Sequence, residues 1–403
     1  GIVAMQSLGF TSLNALMLIG VINGIDKSLF NSSLDLGGNS SYTITKILIP
    51  LMRPGIIVVG LLTFVRSLAD FSTPIIIGGS FNVLATHAYL NVVAYSDLPM
   101  AAAISILLFI PAIIAFILYR VLIKDSNIIT RTNFRDESNE TMIRLEGFFP
   151  RLLQIITFIF LTMMILQYMS IFLSAITKQR FGTMYFTLDN IRESKNYISG
   201  SIIRSILYSF TTGVIGSILG FLISYYLEIR KIRGMKAIDF ISTIPYIIPG
   251  TFFGLGYILA FNRYPLELTG TGLIVILNCI FKQLPLPTKV SSAVISQINP
   301  QITEACKDLG AHELFMLKDV VTPMSKSAFL ISFVNNFTAT MTTIGSIIFL
   351  VYPGKKLATL VMFDAIQSGK YRIGSVIACL IILITLTMNI IFSKFLLEEK
   401  NVY

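Results

Sequence analysis

Ile104-Ser-Ile-Leu-Leu-Phe-Ile-Pro-Ala-Ile-Ile-Ala-Phe-Ile-Leu-Tyr119 runs without a charged side chain and without polar alternation. A membrane β-strand alternates apolar and polar residues over about ten positions, and this stretch does not. It lies inside a longer apolar run at 101–123, enough for a helix across hydrocarbon about 30 Å thick, which takes roughly 20 residues. Comparable runs occupy 55–77, 150–173, 202–228, 238–260, 272–295, 327–350 and 374–397, and the first 22 residues give a ninth, partly polar one. The expected fold class is all-α, a polytopic membrane helical bundle. With 54% hydrophobic and 13% charged residues and a mean hydropathy of +0.77, the chain falls outside soluble composition.

A net charge of +10 fits nucleic acid in a soluble protein, but in a membrane protein Lys and Arg hold loops on the cytoplasmic side. Nine spans starting outside place loops 23–54, 124–149, 229–237 and 298–326 in the cytoplasm, with Arg230, Lys231, Arg233 and Lys236 among them. The outer loop 351–372 carries Lys355, Lys356, Lys370 and Arg372, which weakens the bias without reversing it. The expected setting is a lipid bilayer, with no nucleic-acid partner. Cys279, Cys306, Cys379, His87 and His312 share no ligand spacing, so neither a disulfide framework nor a metal site is indicated.

An internal repeat organises the chain. At an offset of 273 residues, Val21-Ile22 meets Val294-Ile295, Asp35-Leu36-Gly37 meets Asp308-Leu309-Gly310, and Leu84-Ala85-Thr86 meets Leu357-Ala358-Thr359. Pro50 meets Pro323 and Phe64 meets Phe337 in the same register. Tandem repeats of this kind build many transporters. The expected division is a first repeat at 1–123, a charged cytoplasmic linker at 124–149, a second repeat of six helices at 150–397, and a cytoplasmic tail at 398–403. Subtracting the offset places the start of the first copy about 120 residues before Gly1, so three absent helices are expected.

Each copy carries a long loop between spans. In the second, Asn299 is suited to cap a helix, Pro300 to occupy its first turn, and Gly310 to close it in the left-handed conformation. Ile302, Ala305, Cys306 and Leu309 are expected to form one apolar stripe. In the first copy Asp26 is the expected cap, followed by Leu29, Ser32, Ser33, Leu36, Gly37 and Pro50. Such a helix fits a partner's groove or lies on lipid headgroups. The near balance of Glu304, Asp308, Glu313 and Asp319 against Lys307, Lys318 and Lys326 favours a protein partner, since a lipid-seeking helix is strongly basic.

Glu304-Ala305-Cys306, then Gly310, then Val320 and Thr322-Pro323 resemble the EAA loop of binding-protein-dependent ABC importer permeases. The first copy matches less well, with Asn31-Ser32-Ser33 at the acidic and alanine positions, although Gly37 and Ile47-Leu48-Ile49-Pro50 keep the spacing. Ser67-Leu68-Ala69-Asp70-Phe71, Pro249-Gly250-Thr251 through Gly256-Tyr257, and Thr340-Met341-Thr342-Thr343-Ile344 resemble the fused, two-copy permeases of the ferric-iron and 2-aminoethylphosphonate type. The resemblance covers essentially the whole chain. It implies the type I importer membrane fold in two tandem copies, a solute-binding protein outside, and a separate ATPase dimer inside that holds ATP and Mg. Asp35, Leu36, Gly37, Gly38, Glu304, Ala305, Asp308, Leu309, Gly310 and Ala311 become the expected ATPase-docking residues. No G-x-x-x-x-G-K-[ST] phosphate loop occurs along these residues, so no cofactor and no catalytic group is expected on this chain. The other class is an ion-coupled secondary transporter, which explains repeats and intramembrane charges but not two glycine-closed loop helices.

Ionisable groups inside spans are expensive. Arg66 and Asp70, four residues apart, are expected on one helix face, as a structural ion pair or as part of the substrate pathway. Asn335, Asn336, Thr338, Thr340, Thr342 and Thr343 make the equivalent span polar, for helix contacts or for substrate. Lys282 attracts an anionic solute or snorkels to an interface, and the breakers Pro245 and Pro249-Gly250 open the span at 238–260.

Overall fold

The computed structural model describes residues 1–23, 25–26, 28–125, 148–198, 200–246 and 248–400. Apart from its ends the linker expected at 124–149 lies outside the described residues, as do tail residues 401–403. The helices are α1 (Ile2–Asn23), α2 (Ser28–Asp35), α3 (Ile49–Ala69), α4 (Ser72–Ile77), α5 (Leu84–Val93), α6 (Leu98–Asp125), α7 (Phe148–Ile176), α8 (Asp189–Ile198), α9 (Ser201–Glu228) and α10 (Met235–Thr243). They continue with α11 (Gly250–Phe261), α12 (Gly272–Gln283), α13 (Pro285–Ile295), α14 (Pro300–Asp308), α15 (Lys326–Thr342), α16 (Ala358–Gln367) and α17 (Tyr371–Lys400). A two-stranded hairpin, β1 (Thr177–Arg180) against β2 (Thr183–Phe186), follows α7.

Among the described residues six helices are long and apolar enough to cross a membrane, and two bent pairs raise the number to eight. Three expected spans are therefore corrected. The run at 272–295 bends by 47° between α12 and α13, where Pro285 lacks the N–H that would continue the ladder. The run at 327–350 is helical only to Thr342, after which Thr343 is extended. The run at 55–77 likewise breaks at Asp70. Short helices α5, α8 and α16 and the hairpin occupy stretches expected as loops.

The chain forms two compact units, Gly1–His87 with Ile106–Met169, and Ala88–Ser105 with Ser170–Tyr403. In the first, the polar residues of α1 face α3: Ser67 Oγ donates to Gln6 Oε1 at 2.7 Å, Gln6 Nε2 to Asp70 Oδ2 at 3.1 Å, and Thr63 Oγ1 to Asn14 Oδ1 at 2.9 Å. These bonds explain why the first span tolerates polar side chains: in lipid each needs an internal partner.

In the second unit, α9 presents a buried face of small residues, Ser205, Ser209, Thr212, Gly213, Gly216, Ser217, Gly220 and Ser224, to α13 and α15. Small residues let helix backbones approach where lipid removes the hydrophobic drive to associate. The approach is closest at Gly220, where an added Cβ would lie 2.4 Å from Pro287 Cβ, and Ser224 Oγ donates to Thr288 O at 2.7 Å beside it. Apolar clusters fill the rest, one around Phe333, Phe337 and Ile377 and another around Phe221, Tyr225, Met316 and Val321. Tyr89 packs on Phe349 and Phe363 with ring centroids 6.2 Å apart in each pair, so residues expected in the first repeat join this unit.

Candidate functional site

The two loop helices are built alike. Asn299 Oδ1 accepts from Gln301 N at 3.0 Å and Pro300 opens α14. Asp26 Oδ1 accepts from Ser28 N at 2.9 Å at the head of α2, and the Ser28 amide, then its hydroxyl, hold the Asp26 carboxyl below its ordinary value. Both helices end in the same double hydrogen bond. Gly310 N donates to Lys307 O at 2.9 Å and Ala311 N to Cys306 O at 3.0 Å, while Gly37 N donates to Leu34 O and Gly38 N to Ser33 O, each at 2.9 Å. This is the Schellman closure, which requires a left-handed residue, and Gly310 at φ +73 and Gly37 at φ +83 supply it.

Past the turn, His312 Nδ1 accepts from Leu314 N at 3.4 Å and Asn39 Oδ1 from Tyr42 N at 2.8 Å. A π-helical turn follows each, at Met316–Val321 and at Ile44–Leu48, before the chain enters α15 and α3. Such turns are rare and concentrate at functional places.

The apolar stripe expected on α14 is corrected. Thr303 is buried and Cys306 packs on the cluster of Phe221, Tyr225 and Met316, whereas Ile302, Ala305 and Leu309 face outward. The helix stops at Asp308, so Leu309 follows the glycine turn away from the core and stays 87% exposed. Leu36, its repeat mate, is 89% exposed. Ile302 and Leu29 are exposed at matching positions, as are Phe315 and Tyr42. Asp35, Glu304, Ala305, Asp308, Gly310 and Ala311 are also exposed and Gly38 half-buried, so the expected docking residues of each loop share an outer surface. Arg230 Nε pairs with Glu313 Oε1 at 3.1 Å, fixing the second loop to the chain just past α9. Beneath the surface the copies differ: Ser33 and Thr43 share a buried hydrogen bond of 2.8 Å, where the second copy packs Cys306 by Met316.

The expected pathway residues do not form one site. Arg66 and Asp70 belong to the first unit; Asn335, Asn336, Thr342 and Thr343 belong to the second. Asp70 lies beyond the end of α3, so the shared helix face assumed for it and Arg66 is lost. Its Oδ1 accepts from Ser72 N at 3.0 Å and Thr73 N at 3.1 Å, capping α4. Thr343 has the same extended backbone at the end of α15, and its carbonyl accepts from Thr359 Oγ1 at 3.1 Å. Asn336 is buried against α9, its Nδ2 only 2.6 Å from where a Gly216 Cβ would stand, and Thr340 Oγ1 donates to its carbonyl at 2.8 Å. Thr342 Oγ1 bonds back to Thr338 O at 2.9 Å, and Asn335 is half-buried. Asn336 thus stands where α15 meets α9, and Thr340 Oγ1 bonds back within α15.

Lys282 neither snorkels nor stands open to solute. Its Nζ donates to Pro245 O at 2.6 Å and to Ile248 O, and sits 5.4 Å from the Phe253 ring centroid. The ammonium seals carbonyls opened where α10 gives way to α11, a bend of 112°. A lysine facing a Pro-x-x-x-Pro break was the available sequence signal. For the hairpin the signal was Phe181-Gly182, both at positive φ, the two-residue turn of a tight hairpin.

An α-helical bundle with several apolar spans, two of them bent, defines a multi-pass integral membrane protein. Residues 1–127 and 213–397 match the family described as "Binding-protein-dependent transport system inner membrane component", and the chain belongs to that family. It is 28% identical to the ferric transport system permease protein FbpB of Actinobacillus pleuropneumoniae over 97% of this chain and 58% of that protein. Identity is 31% with the putative ferric transport system permease protein FbpB 1 of Haemophilus influenzae, over 87% of this chain and 56% of that protein. The putative 2-aminoethylphosphonate transport system permease protein PhnV of Salmonella typhimurium is 24% identical over 54% of this chain and 83% of its own length. The chain thus spans little more than half the length of the two ferric permeases.

Proposed function

We propose that this chain is the membrane permease subunit of an ABC importer, passing a small solute from an extracytoplasmic binding protein to the cytoplasm, driven by a separate ATPase dimer. In this reading 1–123 and 150–397 are two copies of one permease unit. The loops around Gly37 and Gly310 each engage one ATPase subunit, which carries ATP and Mg. The chain itself is no enzyme: it performs alternating access and hydrolyses nothing. Ferric iron is the solute to test first, on the names of the two long relatives, with phosphonate next.

One observation carries the reading. Two helices 273 residues apart share their cap, Schellman closure and π-turn, and each is followed by an outward leucine, 89% exposed at Leu36 and 87% at Leu309. An ion-coupled carrier has no use for two such surfaces. The test is co-purification with the neighbouring ATPase and uptake assays on Gly310→Asp and Gly37→Asp. ATPase retention and uptake are expected to fall together, more for Gly310→Asp, whose loop is the more closely patterned. Full uptake with no ATPase bound sinks the proposal. The solute is read separately, by thermal shift of the adjacent binding protein against ferric iron, phosphonates, polyamines and sulfate.

A further inference from the structure

The end of the second unit opposite the docking loop holds a cavity of about 680 Å³. Helix α9 fixes that placement, since it starts at Ser201 near the cavity and its far end reaches the Arg230–Glu313 pair. The cavity lies between the last turn of α7, the hairpin, and the first turn of α17. Ser375 Oγ donates to Ser174 Oγ at 3.0 Å beneath it, and Asn190 Nδ2, buried, donates to Ala175 O at 3.1 Å and Thr177 O at 2.9 Å, fixing the exit of α7.

Its walls divide by chemistry. Leu173 and Ile373 supply apolar lining and Lys178, Lys370 and Arg372 basic lining, with the Glu193 carboxylate among them. Lys178 is neutralised by Glu193 at 2.7 Å and Asp189 at 3.5 Å. Lys370 Nζ donates to the uncharged Tyr197 hydroxyl at 2.7 Å, and Arg372 meets no carboxylate among the described residues. Lys178, Lys370 and Arg372 against Glu193 and Asp189 leave one net positive charge, and neither Lys370 nor Arg372 pairs with a carboxylate among the described residues. Depth follows from the spans: Arg151–Ile176 ends at this cavity and Tyr371–Lys394 begins at it, so the cavity sits where the hydrocarbon meets headgroups. The hairpin beside the cavity exposes Phe181, Met184 and Phe186.

We infer that this cavity binds the phosphate of an anionic phospholipid, with Arg372 and Lys370 on the headgroup and Leu173 and Ile373 along the start of an acyl chain. A guanidinium fork matches phosphate oxygens. A free anion such as inorganic phosphate satisfies the same cations but has no use for the apolar wall, so the lipid is the source argued here. Nothing in this inference depends on the transported solute or the ATPase.

The chain contains no tryptophan, so Met184→Trp on the exposed hairpin introduces a single reporter at the cavity. Brominated phosphatidylglycerol is expected to quench it at a lower lipid fraction than brominated phosphatidylcholine. Arg372→Gln or Lys370→Gln on that background is expected to raise the half-quenching fraction of the anionic lipid about fivefold each, while Arg372→Lys restores most of the preference. Circular dichroism confirms that each variant is folded, and the two glutamine variants test the site independently. Equal quenching by both lipids, or a preference indifferent to both substitutions, overturns the site. Arg372-dependent thermal stabilisation by inorganic phosphate in purely zwitterionic vesicles overturns the lipid source.

Discussion

Replacing Leu309 by Gln separates docking from folding. The side chain is 87% exposed, so the folded chain loses almost no burial, and surface changes of this sort stay within about ±0.5 kcal/mol. Glutamine also adds no charge at the end of α14. If an ATPase buries the leucine on docking, its loss removes about 1.5–3 kcal/mol of apolar transfer, or about ten- to a hundredfold in affinity at 1.4 kcal/mol per decade. The assay pairs thermal unfolding of the purified chain with surface-plasmon or pull-down titration of the ATPase. Unfolding is expected to be unchanged and affinity to fall within that range. Leu36→Gln is expected to act in the same direction and the double variant to exceed either, because in the proposed reading each loop meets a separate subunit. An unchanged ATPase affinity in the double variant, with the fold intact, refutes the assignment of these leucines and favours headgroup contact.

The remaining expectations concern packing and caps. Gly220→Ala places a methyl against the Pro287 backbone and forces α9 from α13, costing about 1–3 kcal/mol, read as a lower unfolding midpoint in detergent. Lys282→Met leaves the carbonyls of Pro245 and Ile248 without their donor, a loss of about 1–3 kcal/mol for a charged hydrogen bond. Hydrogen exchange of the first turn of α11 is expected to rise tenfold or more, while α17 exchanges as before. At the head of α2, the Asp26 carboxyl is held below the ordinary carboxylate range, so its stabilisation is present at and above that range and lost as pH falls through the depressed value. Asp26→Asn removes this pH dependence and keeps a capping oxygen, which helix content measured down the acid limb checks.

What could be read from the chain alone was what local physics governs. Apolar runs such as Ile104–Tyr119 dictate membrane helices because a bilayer leaves unpaired backbone no other solution. Gly37 and Gly310 close their helices because a left-handed residue is a property of one position and its immediate neighbours. The 273-residue register located both loops for the same reason, since equal sequence at equal spacing folds into equal caps. Tertiary structure decided everything that depends on which atoms arrive from elsewhere. Asp70 continues α3 by spacing, yet the chain turns extended there and its carboxylate takes up the amides of α4. Lys282 looks like a solute site until the α10–α11 break delivers two carbonyls to it. Leu309 belongs to an apolar stripe by spacing, yet stays exposed, because α14 turns Thr303 and the half-buried Cys306 inward and ends before Leu309. The basic cavity joins Lys178 to Lys370 and Arg372, distant positions that only the meeting of α7 with α17 brings together, and no periodicity encodes that meeting.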